Sequence, residues 1–411
     1  MNLALYSEFS YTWVYFPVQE PPRDPYLNPF SPGAGQRPPE LAGRDQIIKE
    51  TIVALRRALA GRPFRSMLFL GLRGTGKTVL LNELSNQARD LGFLVSRLEA
   101  PEKANLAKML YPEMKKIMRS LSGIERAKEL AVAGMRMVRN FASMFQIEVA
   151  GVGVGVDPHS DNTDSGDLQT DLPDIFESIG LAAREAGKGW LISIDEVQYL
   201  SEEDLSALVV SIHRIAQTNL PIVLLGAGLP QLARTAGEAK FYSERLFRYF
   251  DIGALDEDSA IDAIKKPIED ADASISSEAL RSIVDGTQGY PFYLQQWASC
   301  AWDVAATKTI SADDALSASQ EAIHILGEGF FRVRLDRLTK GEMKYCMAMA
   351  SLGEGPYAAG KISEVLGKDV KQLGPTRAGI IKKGMIYSTS HGFVDFTVPL
   401  FADFMRRQKI D

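Results

Sequence analysis

Cysteine is nearly missing from this chain. Cys300 and Cys346 are the only two in 411 residues, which excludes a disulfide framework and leaves no Cys/His spacing suited to zinc. The four histidines, His159, His213, His324 and His391, are scattered without an H-E-x-x-H or similar cluster, so they read as structural or surface residues rather than metal ligands. No apolar run approaches the roughly 18 residues that a membrane span needs. The start, Met1 to Glu20, is aromatic but has no basic n-region and no continuous apolar h-region, and so makes a poor signal peptide. Together these absences suggest a soluble protein of a reducing cytoplasm. A large excess of one charge sign is missing too: 46 Lys and Arg face 52 Asp and Glu, a net of −6. Taken globally, that balance argues against a nucleic-acid partner.

What is present is less even. With 45% hydrophobic and 24% charged residues, the chain can bury a large core, and its length suggests two or three domains. Residues 101–146 hold nine Lys/Arg against four Asp/Glu, and residues 361–411 hold nine against five. Two basic segments therefore sit on an acidic body, and each needs its own explanation. Near the start, Pro17, Pro21, Pro22, Pro25, Pro29, Pro32, Pro38 and Pro39 rule out regular helix, so residues 1–40 are expected to form a loosely held arm.

The most informative stretch is 66–80. An apolar strand runs into Gly71, Arg73, Gly74, Thr75, Gly76, Lys77, Thr78 and Val79, and then into a helix. That is a phosphate-binding loop in its required context. Glycines let the backbone turn tightly enough for successive N–H groups to converge on phosphate oxygens. Lys77 reaches the β- and γ-phosphates, and the Thr78 hydroxyl is suited to Mg²⁺.

Periodicity places further elements around this loop. Ile47, Ile48, Ile52, Leu55 and Leu59 share one helical face. A helix after Lys77 ends near Gly92, before a second strand at 93–98, which makes a βαβ unit of a parallel sheet. Residues 101–146 are expected to be a helical insertion rich in methionine, either a contact arm for DNA or a protein partner, or simply core. The run Gly151-Val-Gly-Val-Gly-Val156 is not a dinucleotide fingerprint, and with the Asp-rich stretch after it reads as a flexible loop over 147–171. Strands at 190–194, 222–225 and 249–252 bring the total to five, and helices between them suit a doubly wound α/β domain over residues 41–255. From residue 256 to 308 the pattern is wholly helical; with a connecting helix it makes a lid over 256–326. Residues 327–411 contain three short helices and a β-hairpin, the pattern of a winged helix-turn-helix.

The strand Leu191-Ile-Ser-Ile194 ends in Asp195-Glu196, at the sheet edge where ligands bind in such folds. Asp195 can hold the Mg²⁺ shell, and Glu196 can polarise a water for in-line attack on a γ-phosphate.

This set of features resembles the AAA+ ATPases, and within them the clade of origin-recognition-like initiators with the related STAND signalling ATPases. The resemblance rests on Gly43-Arg44-Asp45 ahead of the first strand, the loop from Gly71 to Thr78, Ile194-Asp195-Glu196, Glu244-Arg245-Leu246-Phe247 before the last strand, the helical lid and the winged helix. It implies that Gly43, Arg44 and Asp45 lie against the adenine. It also implies that Arg245, or Arg248 in its stead, is supplied to a neighbouring subunit's ATP in an oligomer, where it would neutralise charge developing on the γ-phosphate. Two departures are visible. The fourth strand ends in Gly226-Ala227-Gly228, which offers only backbone where the family has a polar sensor. The lid carries Gly289-Tyr290-Pro291, similar to the Gly-x-Pro of STAND ATPases, which would put Pro291 near the nucleotide. Both favour a slow, switch-like ATPase.

For the helix at 371–383, Lys371, Gln372, Thr376, Arg377, Lys382 and Lys383 are the candidate DNA contacts. Two other readings stay open: a STAND-type switch in which ATP drives self-assembly and the winged helix makes protein contacts, and a module that holds nucleotide without hydrolysing it.

Overall fold

Apolar runs long enough for one strand and buried on both faces assemble the centre of the molecule. In the computed structural model these are β1 (Ser66–Leu70), β2 (Phe93–Glu99), β3 (Gly189–Asp195), β4 (Ile222–Gly228) and β5 (Phe247–Asp251). They form one parallel sheet in the order β2-β3-β4-β1-β5. Every residue of β1, β3 and β4 is buried. The structure describes residues 25–145, 147, 166–240 and 243–407. The arm before residue 25, the Gly/Val run at 151–156 and His159 lie outside the described residues.

Helices cover both faces. On one, α1 (Asp45–Leu59) and α2 (Lys77–Asp90) bury Leu55, Leu80 and Leu84 against Phe69, Leu191 and Val223. On the other lie α3 (Leu106–Ser122), α4 (Lys128–Met144), α5 (Leu168–Ala186), α6 (Glu202–Thr218) and α7 (Leu232–Ala239), while the short α8 (Ser243–Leu246) leads into β5. The methionines of the basic insertion differ in burial. Met114 and Met118 are fully buried, and Gly134 of α4 admits the Met118 side chain so closely that a Cβ would stand 2.1 Å from its methyl group. Met144 is exposed. Met109, Met135 and Met137 are half-buried against the same core.

After the sheet come α9 (Glu257–Asp270), α10 (Ser277–Thr287), α11 (Pro291–Val304) and α12 (Ala312–Ile325). The stretch expected to be wholly helical contains β6 (Ser274–Ile275), which pairs in parallel with β7 (Thr309–Ile310). At two residues each, these strands carry no readable alternation. α12 continues through one wide π turn, Leu326–Phe331, into α13 (Arg332–Asp336), so the expected boundary at 326–327 falls inside a continuous helical run. Beyond it are α14 (Lys340–Ser351), α15 (Ala359–Leu366), α16 (Val370–Lys382) and α17 (Phe401–Arg407), with β8 (Tyr357–Ala358), β9 (Ile386–Ser390) and β10 (Phe393–Phe396) in an antiparallel sheet of order β8-β10-β9. One hydrophobic cluster runs from Ala260 through Trp297 and Phe331 to Met405, so lid and C-terminal segment share a core.

The Pro-rich entry is better held than a loose arm. Asn28 donates to the Ser299 carbonyl, the Ser299 hydroxyl and Asp303 at 3.1, 3.0 and 2.9 Å, and Phe30 is buried in the lid cluster. Proline removes helix without removing packing.

Candidate active site

The loop between β1 and α2 passes through left-handed backbone at Gly74 (φ 85°) and Gly76 (φ 88°), which a side chain would strain. Gly71 is needed for another reason: a Cβ there would lie 2.1 Å from the Ile252 carbonyl oxygen. Lys77 is buried, and its ammonium donates to the carbonyls of Gly71 at 2.9 Å and Leu72 at 2.7 Å. Burial pushes the Lys77 pKa down to about 8, although Glu196 and Asp195 pull it up.

β3 delivers the acids to the same place. The Thr78 hydroxyl donates to Asp195 Oδ2 at 2.5 Å, and Asp195 Oδ1 accepts the Glu196 amide at 2.8 Å. Burial raises the Asp195 pKa, while these two hydrogen bonds oppose the rise. Glu196 itself sits in left-handed backbone (φ 54°), and its carboxylate accepts a bond from Gln198 Nε2. Gln198 Oε1 in turn accepts the Leu229 amide at 3.1 Å, just past β4. A Cβ on Gly228 would stand 2.7 Å from that oxygen. Glycine at the end of β4 therefore makes room for Gln198, which places a polar side chain beside Glu196 where β4 itself offers only backbone. Sequence reasoning missed Gln198; its one signal was a position two residues beyond the acid pair.

A cavity of about 430 Å³ opens over the loop, in the usual size range of ligand pockets. Arg73 to Val79, Glu196, Arg44 and Pro291 all line it. So do Ser31 to Gln36 of the N-terminal entry, Phe292 and Arg334, which sequence reasoning did not place there; distant packing brings them in, with no local motif. The lid docks directly on the loop. Tyr290 donates through its hydroxyl to the Arg73 carbonyl, and the Phe292 amide donates to the Gly74 carbonyl at 3.2 Å. The C-terminal segment docks there as well, since the Arg73 amide donates to the Thr397 carbonyl at 3.2 Å.

The remaining expected residues are spread out. Arg44 is buried, and its guanidinium donates to the Gly253 carbonyl at 2.8 Å and the Thr75 carbonyl at 3.4 Å; burial lowers its pKa, partly offset by Asp256. It braces the loop, while Gly43 and Asp45 are exposed at the entry to α1 and do not line the cavity. Arg245 is exposed on α8, outside the cavity. Arg248 pairs with Glu50 at 2.5 Å and lies over Phe250. On α16, Lys371, Gln372 and Lys382 are exposed and Thr376 is half-buried. Arg377 donates to the Ser388 hydroxyl at 2.9 Å, and Lys383 is held by Glu342 at 2.6 Å and the Arg337 carbonyl at 2.8 Å.

Among the described residues no group of three or more His, Cys, Asp or Glu is placed to hold a metal, and no helix is long and apolar enough to cross a membrane. Thr78 and Asp195 are nevertheless the oxygen donors that suit Mg²⁺, which takes one or two protein ligands and completes its shell with phosphate and water.

A parallel sheet in this strand order, a glycine-rich loop opening a helix, an acid pair at the neighbouring strand's end and a helical lid define an AAA+-type P-loop ATPase fold. Residues 40–225 match the AAA ATPase domain family, and residues 328–405 match a domain of unknown function, DUF8462. Among solved structures, the Walker-type ATPase paby2304 of Pyrococcus abyssi is 14% identical, with a TM-score of 0.52 over 90% of this chain and 97% of that one. The Aeropyrum pernix Orc1 protein in complex with DNA (14% identity, 93% and 96% covered, TM-score 0.45) and the Thermotoga maritima RuvB Holliday junction branch migration motor (15%, 92% and 100%, 0.44) are also similar. Likeness at 14–15% identity bears on the fold alone. No curated protein matches in sequence.

Proposed function

We propose that this protein binds ATP with Mg²⁺ between its sheet domain and lid, hydrolyses it slowly, and uses the change to reposition its C-terminal segment, a winged helix that engages DNA. One observation carries the catalytic part: Thr78 and Asp195 meet at 2.5 Å directly beside Glu196, at the mouth of a glycine-rich loop. Bound there, Mg²⁺ would supply charge neutralisation between phosphate oxygens, with Thr78 and Asp195 as its protein ligands. The loop amides and Lys77 bind the phosphates. Glu196, aimed by Gln198, holds and deprotonates the attacking water. Arg245, exposed and with no ion pair among the described residues, fits a role in a neighbouring copy's site in an ATP-bound oligomer.

The test uses two variants and a chelator. Lys77→Ala is expected to lose ATP binding, and Glu196→Gln to keep binding while phosphate release drops by at least about 100-fold, the lower end of the usual general-base contribution. Chelating Mg²⁺ should abolish release in the parent. Equal release by the parent and Glu196→Gln removes the assigned base.

A second reading has its own support. The C-terminal segment is hydrogen-bonded to the loop through Arg73 and Thr397, and Arg377 and Lys383 are turned to internal partners. In that reading the segment braces a STAND-like switch in which ATP drives self-assembly.

A further inference from the structure

The C-terminal segment sends one basic side chain into the cavity. Arg334 of α13 lines it alongside Gly74, Phe292 and Phe330. Its guanidinium stacks 3.7 Å above the Phe330 ring and uses one N–H on the Phe330 carbonyl, at 2.9 Å, out of five that an arginine offers. Among the described residues no carboxylate pairs with it. Burial lowers its pKa to about 10; Arg73 and, more weakly, Arg337 push the same way, while Tyr293 and Tyr290 oppose them. Among the described residues Arg73 likewise pairs with no acid: one of its terminal N–H groups donates to the Tyr199 hydroxyl at 2.6 Å, and its Nε is buried without a hydrogen-bond partner there.

Two half-buried guanidinium groups that repel each other, with no acid paired to either among the described residues, are costly to bring together. An anion between them reverses the balance, and the planar fork of arginine suits a phosphate better than any other protein cation does. Position along the loop says which phosphate. Lys77, which reaches the β- and γ-phosphates in such loops, rests its ammonium on the carbonyls of Gly71 and Leu72, one residue before Arg73. Glu196, whose water must attack the last phosphorus, lines the same cavity. The Arg73 end is therefore the terminal-phosphate end.

We propose that Arg334 is a binding residue for the terminal phosphate of ATP, supplied within the same chain by the C-terminal segment, so that a triphosphate ties this segment to the loop and a diphosphate does not. The proposal rests on the ATP-binding reading above and adds how nucleotide state reaches residues 328–405. The Arg73–Thr397 bond gives the same segment a second foothold on the loop.

The test measures equilibrium binding of fluorescent ATP and ADP, with Mg²⁺, to the full chain carrying Glu196→Gln to suppress turnover. Adding Arg334→Ala should weaken ATP at least tenfold and leave ADP within twofold. Arg334→Met, which keeps the stem packed on Phe330, should do the same, and Arg334→Lys should restore part of the loss. Hydrogen exchange across 328–345 should slow with ATP but not ADP in the Glu196→Gln parent, and with neither once Arg334 is replaced. An unchanged ATP-to-ADP affinity ratio in both Arg334→Ala and Arg334→Met, including an equal loss for both nucleotides, overturns the proposal while leaving ATP binding intact. A parent that binds neither nucleotide overturns the ATP reading itself, and this inference with it.

Discussion

Lys77 carries a charge that its surroundings make costly, and this has a measurable consequence. Its pKa, pushed down to about 8 by burial, means that the ammonium is largely present at pH 7 and about nine-tenths lost at pH 9. Phosphate prefers the protonated form, so binding takes up a proton once the pH exceeds the free-state pKa. Nucleotide affinity should therefore fall about tenfold between pH 7 and pH 9, and titration at a series of pH values checks it; an affinity constant across that range would show that Lys77 keeps its proton throughout. The loop and the acid pair were legible at this scale because their chemistry depends on spacing along the chain. Gln198 and Arg334 were not. Gln198 is placed by a contact with Leu229, and Arg334 lines a cavity together with a loop more than 250 residues earlier in the chain, so no local pattern marks either.

Elements are held in place by a few backbone positions that tolerate nothing larger than glycine. Gly289 is the clearest, because it combines left-handed backbone (φ 67°) with a Cβ position 2.4 Å from the Leu255 carbonyl oxygen. It joins α10 to α11 just before Tyr290 and Phe292 dock on the loop. Gly289→Ala should cost about 2 kcal/mol, the upper end of the left-handed penalty for an L-residue, read as a lower denaturation midpoint with unchanged slope. Gly237 in α7 is the opposite case, with no atom within 4 Å of an added Cβ, and Gly237→Ala should stabilise by about 0.5–1 kcal/mol. The same measurement on both separates backbone strain from a general effect of added bulk. Five sheet strands and most helices were legible from periodicity, although β5 begins at Phe247, two residues before its expected start. β6, β7 and β8 were not, since two residues cannot show a period. Tertiary packing likewise decided the methionines of α3 and α4.

The whole molecule raises a question of charge. A protein of net charge −6 repels DNA at long range, and only a local surface can reverse this. Of the four cations expected on α16, Lys371 and Lys382 are exposed, while Arg377 and Lys383 are committed to Ser388, Glu342 and the Arg337 carbonyl. The two readings of the C-terminal segment then differ in a number. Neutralising two phosphates gives a slope near −2 in log affinity against log salt, and all four cations give nearly −4, because each contact releases about 0.9 counterion. A DNA-binding switch is expected to show a slope near −2 in the arrangement described here. If ATP frees α16 from its internal partners, the slope should steepen toward −4 with the Glu196→Gln protein held in ATP. A flat line in both nucleotide states would leave the exposed lysines as ordinary solvated surface, and the segment as the brace of a self-assembling switch. The slope decides this better than affinity does, because it counts phosphate contacts directly and acidic surface elsewhere on the chain shifts only the intercept.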